Sequence, residues 1–298
     1  MQENGYVLLG SRGLVTVGGA DRATFLQGLI SNDIRRVAPD RAIWAALLTP
    51  QGKYLHDFFI SEIDGIFFLD CERERLMDLG QRLSRYKLRA KIDLGIAQGH
   101  IVAVLPGKAA LGRAGLPAEP GAARAVSGGV LYVDPRLAEA GGRAVLPKAG
   151  GEAALRELGF VPGDFTDYER LRLACGLPDG SRDLVVEKAI LLESNFDELH
   201  GVDWNKGCYM GQELTARTKY RGLIKKRLLP VDIAGAAPPP GTQVLLDGKD
   251  AGEMRSAADG KGLALLRLEQ LERAMRGDGV LKAGDATLTP RKPDWAAF

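Results

Sequence analysis

Residues 202–222 read VDWNKGCYMGQELTARTKYRG, a stretch that places one cysteine between two glycines, follows it with a glutamine and a glutamate, and carries four basic residues in all. Gly207 and Gly211 make a glycine-rich turn that delivers Cys208 close to the helix-forming run QELTAR. A thiol at that point, with Lys206 nearby, has its reactive thiolate favoured by the positive end of the helix and by the cation. Cys208 reads equally well as a small buried hydrophobe, the usual fate of a free cysteine. Chemistry alone leaves the two readings even, whereas Cys71 and Cys175 lie in apolar patterns that assign them to packing.

Outward from the cysteine, Gln212 and Glu213 either hydrogen-bond a ligand ring or supply exposed helix positions. Arg217, Lys219, Arg221, Lys225, Lys226 and Arg227, with Tyr220 among them, form a basic run that either meets phosphates or a polyanionic tail or is a solvated face. Asn32, Asp33 and Asp57 fall at the ends of predicted elements, where binding residues and turn residues both occur. No strand is followed by a G-x-G-x-x-G or Walker pattern, so nucleotide binding has no support, and no Ser/His/Asp order can be picked out.

The chain has 298 residues, 45% of them hydrophobic and 26% charged, which predicts a soluble protein of two or three domains. Its net charge of +2 is too balanced to demand a nucleic-acid or membrane partner. Direct nucleic-acid binding and membrane binding are therefore not expected. The N-terminal MQENGYVLLGSRG lacks the pattern of a secretory signal, and the three scattered cysteines fit a reducing compartment, so the expectation is a cytoplasmic protein. Cys and His residues show no metal-ligand spacing, and no metal site is expected.

Periodicity predicts a strand at GLVTVGG, then a helix capped by Asp21 with Phe25, Leu26, Leu29 and Ile30 on one face. AIWAALL, YLHDFFISEI and IFFLD form an antiparallel meander with a hairpin turn at Asp64-Gly65. Leu76, Leu79, Leu83 and Tyr86 make a helical stripe, after which HIVAVLP resumes the sheet. Residues 106–129, rich in Gly, Ala and Pro, read as a surface excursion without an element of its own. GVLYVD and GRAVLP are strands; GEAALRELGF and DFTDYERLRLACG are helices, the second capped by Asp164. From Lys226 onward, short strands with Asp247-Gly248 and Asp259-Gly260 turns predict a small antiparallel barrel. The class is α+β, because strands and helices do not alternate strictly.

The segment KGCYMGQELTAR, residues 206–217, resembles the signature K-G-C-Y-x-G-Q-E of the YgfZ-type proteins, bacterial relatives of the glycine-cleavage T-protein (aminomethyltransferase). Supporting segments run in the same order: FLQGLISNDI, LLTPQGKYLHDF, YKLRAKIDL, ERLRLACGLPDGSRDL, LLESNFDELHGVDWNKGCY and RGLIKKRLLPV. LESN and GQELTART are closer to the mitochondrial iron-sulfur maturation branch than to the enterobacterial one. The resemblance implies a T-protein-like three-lobed ring. Its parts would be a folate-binding region at 1–225, with subdomains at about 1–45 joined to 150–225 and at 46–149, and a C-terminal β-barrel at 226–298.

It also implies a role in assembling or repairing iron-sulfur clusters, tetrahydrofolate-linked, for [4Fe-4S] enzymes including those that thiomethylate tRNA. Iron-sulfur assembly proteins or client enzymes would be the partners. Cys208 is the implied functional thiolate, and Asn32, Asp57, Lys206, Tyr209, Gln212, Glu213, Arg217 and Arg221 are the implied contacts of a folate-like small molecule.

Two departures from the T-protein pattern bear on chemistry. Where T-proteins read L-E-A-G and hold the pterin with the glutamate, this chain reads Leu173-Ala174-Cys175-Gly176. Where they carry an Asp-Asp pair, it reads His56-Asp57. Both changes argue against glycine-cleavage aminomethyl transfer, leaving a folate-dependent one-carbon transferase as the second reading and a tRNA-binding module as the third.

Overall fold

The computed structural model describes residues 3–298. Strands β1 (Gly5–Leu8) and β2 (Arg12–Gly18) lead to helix α1 (Arg22–Gln27), and then come β3 (Ile43–Leu48), β4 (Tyr54–Ile63) and β5 (Ile66–Glu72). Helix α2 (Leu76–Lys87) follows, then β6 (Asp93–Ile96), β7 (His100–Pro106), α3 (Ala109–Arg113), β8 (Ala123–Val126), β9 (Gly129–Val133) and β10 (Gly141–Pro147). Helix α4 (Gly151–Glu157), the short β11 (Val161–Pro162) and α5 (Phe165–Ala174) come next. The remainder holds α6 (Gln212–Tyr220), β12 (Lys226–Ala234), β13 (Gln243–Leu246), β14 (Lys249–Ala258), β15 (Lys261–Arg267), α7 (Leu268–Met275), β16 (Leu281–Ala283) and β17 (Ala286–Pro290).

The chain divides into two compact units. One comprises Met1–Thr49, Leu55–Tyr168 and His200–Met210; the other comprises Pro50–Tyr54, Glu169–Leu199 and Gly211–Phe298. The first contains a sheet of order β3-β4-β5-β2-β6 and a second of order β11-β1-β7-β10-β9-β8. The hairpin between β4 and β5 turns on Asp64 and Gly65, both at positive φ, as the right-handed twist of a tight hairpin requires. HIVAVLP does not resume the first sheet, as its position after the helix suggested. It pairs instead with β1 and β10, because those are the strands that offer it antiparallel partners on both sides.

Residues 106–129 are also more than a surface excursion. They form α3 and β8, and Ala110, Leu111, Ala114, Leu116 and Ala122 enter the core of the second sheet beside Leu131 and Leu155. Alanine is both a good helix former and small enough to let a short helix lie close on a sheet, so an Ala-rich run can pack where its Gly and Pro neighbours suggest only a loop. Asp21 likewise does not cap α1; its carboxylate accepts the backbone N–H of Lys91 at 2.7 Å.

The two sheets of this unit are joined by buried charge. Asp70 on β5 accepts from Arg12 Nε at 2.7 Å and from Arg143 Nη2 at 2.6 Å, while Asp134, just past β9, accepts from Arg136 Nη2 at 2.8 Å. Arg12, Arg136 and Arg143 all lie over the Phe59 ring, Arg143 closest at 3.8 Å to its centroid. Pairing and hydrogen bonding offset the large cost of taking these ions out of water.

In the second unit, strands β12-β15-β14-β13-β16-β17 close into a barrel. Two of its hairpins turn on Asp247-Gly248 and Asp259-Gly260, all four residues at positive φ, and its interior is filled by Leu229, Val231, Val244, Met254, Leu266 and Leu288 among others. Closure leaves no free strand edge there. Arg172 anchors the stretch that precedes the barrel: buried, it donates to Glu169 and to Asp183, whose other oxygen accepts the Ser256 N–H.

Candidate functional site

The loop carrying Cys208 is held against the segment that follows α1 by bonds between residues far apart in sequence. Lys206 Nζ donates to the carbonyls of Gln27 and Ile30 at 2.6 and 2.7 Å, and Gln27 Nε2 returns a bond to the Lys206 carbonyl at 3.1 Å. Met210 N donates to the Gly28 carbonyl at 3.0 Å, and Asp203 N to that of Ser31 at 3.1 Å. Ser31 Oγ donates to the Gly201 carbonyl at 2.6 Å. Anchors therefore stand on both sides of Cys208, which is itself exposed on irregular backbone.

Gly207 makes that presentation possible. Its φ is +91° although a Cβ there would touch nothing within 4 Å, so the glycine is required by backbone conformation and not by space. Next to it, Tyr209 is buried and the Lys206 ammonium lies 4.8 Å from its ring centroid. Burial pushes the Lys206 ammonium down to about 8, with Asp33 and Asp203 pulling the other way. The cation expected to stabilise the thiolate is thus committed to two backbone carbonyls and an aromatic face. Helix α6 begins only at Gln212 behind its N-cap Gly211, so Cys208 lies outside the first turn where a helix terminus acts strongly.

Asn32 is a second clamp in the same unit. Its amide donates to the carbonyls of Trp44 and His200 at 2.8 and 2.7 Å, and its oxygen accepts from Asp33 N at 2.8 Å. Asp57 is buried and accepts from Trp44 Nε1 at 2.9 Å, so Asp57, Trp44 and Asn32 form one connected path. Neighbouring residues of a strand face opposite ways, and His56 accordingly turns toward α2, where Nε2 lies 2.9 Å from Asp78 Oδ2. Burial, helped by Arg75, pushes His56 down to about 4, against the pull of Asp78. A cavity of about 220 Å³ is lined by Asn32, Arg36, Arg41, Glu119 and His200; neither Asp57 nor Cys208 lines it.

Gln212, Glu213, Arg217 and Arg221 belong to the second unit. Glu213 occupies the first turn of α6, where its charge suits the positive helix end, and Arg217 and Arg221 are exposed one turn apart. The start of α6 is seated on the TPQGK loop: a Cβ at Gly52, whose φ is +80°, would lie 2.6 Å from Leu214 Cβ and 2.7 Å from the Gly211 carbonyl. Lys219 pairs with Asp197 at 2.8 Å. Gln27, Ser31 and Trp44, which hold the cysteine loop and the Asn32 path, carry no local sequence signal; their partners lie across the fold.

Among the described residues, no group of three His, Cys, Asp or Glu side chains is arranged to hold a metal ion. One exposed thiol on a clamped loop is what the site offers.

Similarity to known proteins now bears on the whole chain. The family model described as "CAF17, C-terminal beta-barrel domain" matches residues 225–298. The solved structure of glycine cleavage system aminomethyltransferase T from Bartonella henselae matches with a TM-score of 0.75 at 14% identity, covering 98% of this chain and 86% of that one. This chain therefore has a T-protein-like fold of α+β sheets with a closed C-terminal antiparallel barrel. "Iron-sulfur cluster assembly factor IBA57, mitochondrial" from Mus musculus is 36% identical over 311 residues, covering 96% of this chain and 84% of the mouse protein. The Homo sapiens protein of the same name is 36% identical over 313 residues with the same coverages. The chain belongs to the IBA57 family of iron-sulfur cluster assembly factors. The expectation of a cytoplasmic protein does not stand, since the mouse, human and Neurospora crassa relatives are all named as mitochondrial.

Proposed function

We propose that this protein assembles or repairs iron-sulfur clusters and that Cys208 is its working thiolate. The observation that carries the reading is the exposure of Cys208 between two anchored residues, Lys206 and Met210, on a loop that turns at the positive φ of Gly207. An exposed thiol held in one place is suited to ligating the iron of a cluster in transit, with the thiol proton released to solvent. A single cysteine supplies one ligand, so an iron-sulfur assembly protein or a client [4Fe-4S] enzyme supplies the others. Enzymes that thiomethylate tRNA are among the clients this reading includes; Arg217 and Arg221 are its candidates for holding an anionic tail.

Tetrahydrofolate fits these residues poorly. Ala174 ends α5 with an exposed methyl group, Asn32 has its amide hydrogens and oxygen on backbone partners, and Asp57 is buried under the Trp44 indole N–H.

The test is anaerobic mixing of the purified protein with a cluster-loaded assembly protein, followed by visible absorption and separation of the two. Wild type should hold the chromophore in a complex, and Cys208→Ser should not. Equal capture by both would remove Cys208 from the chemistry.

A further inference from the structure

Helix α2 buries Leu76, Leu79 and Leu83, and the flank of that face carries Met77, 62% exposed, and Gly80, one turn on from Leu76. A Cβ at Gly80 would meet nothing within 4 Å, and its φ is not positive, so neither crowding nor backbone conformation of this chain demands glycine there. Alanine would hold the helix better. Gly80 instead forms part of the floor of an apolar groove of about 430 Å³, walled by Leu76 and Met77 on α2 and by Leu94 and Ile96 on β6.

The far wall of that groove is an edge strand. Among the described residues β6 pairs only with β2, and Ala97 N donates to the Leu14 carbonyl. Antiparallel alternation then turns the backbone N–H groups of Leu94 and Ile96 outward. Directly after α2, Leu88 is 88% exposed and holds φ 42°, ψ −112°, a conformation that bulky residues avoid. Exposed Arg85, Lys87, Arg89 and Lys91 surround it, with Asp93 the acid on β6. A strained, exposed leucine that follows the helix walling an open groove is the kind of outlier that clusters at ligand clamps, since nothing in its own packing rewards that conformation; Arg85, three residues before it, lines the groove itself.

We propose that this groove docks an extended acidic segment of a partner protein. The segment adds to the free edge of β6, seats an apolar side chain over Gly80 and pairs its carboxylates with the basic rim. Arg85 in the lining and the exposed Lys87, Arg89 and Lys91 that follow it favour an acidic occupant over a two-fold contact of this face with a second copy, which would bring like charge to like. A lipid surface has no backbone to offer the strand edge and no protrusion to fill the groove.

The probe is a short, end-capped peptide of alternating valine and glutamate, followed by fluorescence anisotropy with the 298-residue protein. Saturable binding is expected, weakened about ten-fold or more by Gly80→Leu and by the pair Lys87→Glu and Arg89→Glu. Leu88→Ser, an exposed change, should weaken it as well, which guards against a variant that merely misfolds; unchanged thermal unfolding qualifies each protein. The proposal is overturned by absence of saturable binding, or by binding indifferent to all these changes. It is also overturned if phosphatidylserine vesicles, and not the peptide, are what the charge reversals release, or if Gly80→Leu instead breaks a dimer.

Discussion

Lys206 and Gln27 hold each other twice: the lysine ammonium donates to the glutamine's backbone carbonyl at 2.6 Å, and the glutamine side chain donates to the lysine's carbonyl at 3.1 Å. This reciprocal pair fixes the base of the Cys208 loop. Replacing Lys206 by Met should remove two charge-assisted bonds and cost about 2–3 kcal/mol of stability. Urea unfolding and limited proteolysis within residues 200–210 would check it, the variant being cut faster there. A loop as resistant as wild type would mean that the clamp is held by Met210 and Ser31 alone.

The three thiols should separate by reactivity. Cys71 is buried and burial pushes its thiol up to about 12, Cys175 is half-buried, and Cys208 is exposed. A disulfide exchange reagent should therefore show one fast thiol, abolished by Cys208→Ala, while Cys71 reacts only on unfolding.

Acid should weaken the fold through His56. Its folded value of about 4 lies below the ordinary 6.5, so between these two pH values the unfolded chain binds the proton and the folded chain does not. Stability from this residue is complete above about pH 6.5 and falls by roughly 2–3 kcal/mol as pH drops toward 4. His56→Gln should flatten that part of a urea-midpoint profile; an unchanged slope would assign the acid sensitivity elsewhere.

Asp70 is the hinge of the buried charge between the two sheets of the first unit. Asp70→Asn would leave the Arg12 and Arg143 guanidinium groups without their shared carboxylate, a loss of about 3–5 kcal/mol measurable by urea unfolding. A loss under about 1 kcal/mol would show that Asp134 and the Phe59 ring suffice.

At Leu88, relief of backbone strain should be directly visible. Leu88→Gly removes the Cβ that makes φ 42° costly and gives up little buried surface, so it should stabilise the protein by about 1 kcal/mol in thermal unfolding. Destabilisation would mean that the leucine packs usefully against the groove.

The sequence carried the parts of this molecule that rest on local rules. The Asp-Gly hairpins, the Leu76, Leu79 and Leu83 stripe of α2, which Tyr86 does not join because it is exposed at the end of the helix, and the turn glycines Gly207 and Gly211 are each written in nearby residues. The glycine turn that carries Cys208 is equally local, whereas its exposure, which residue chemistry leaves even with burial, is settled only by the fold. What could not be read locally depends on partners far along the chain. Asn32 looked like a binding residue because nothing nearby reveals that its amide is consumed by Trp44 and His200. Lys206 looked like a cation for the thiolate because its real partners, Gln27 and Ile30, lie well over a hundred residues away. The buried arginines are a further case, for charged residues in strands are ordinarily assigned to the surface. HIVAVLP joins the second sheet and not the first, because strand character says nothing about which neighbour a strand will choose.

The central claim, that Cys208 is the working thiol of an iron-sulfur assembly factor, is tested most directly in cells. [4Fe-4S] enzyme activity would be measured in a strain lacking this gene, carrying either the wild-type protein or Cys208→Ala at equal abundance. Activity should be restored by wild type and not by the variant. Equal restoration by both would contradict it, returning the exposed cysteine to a passive role.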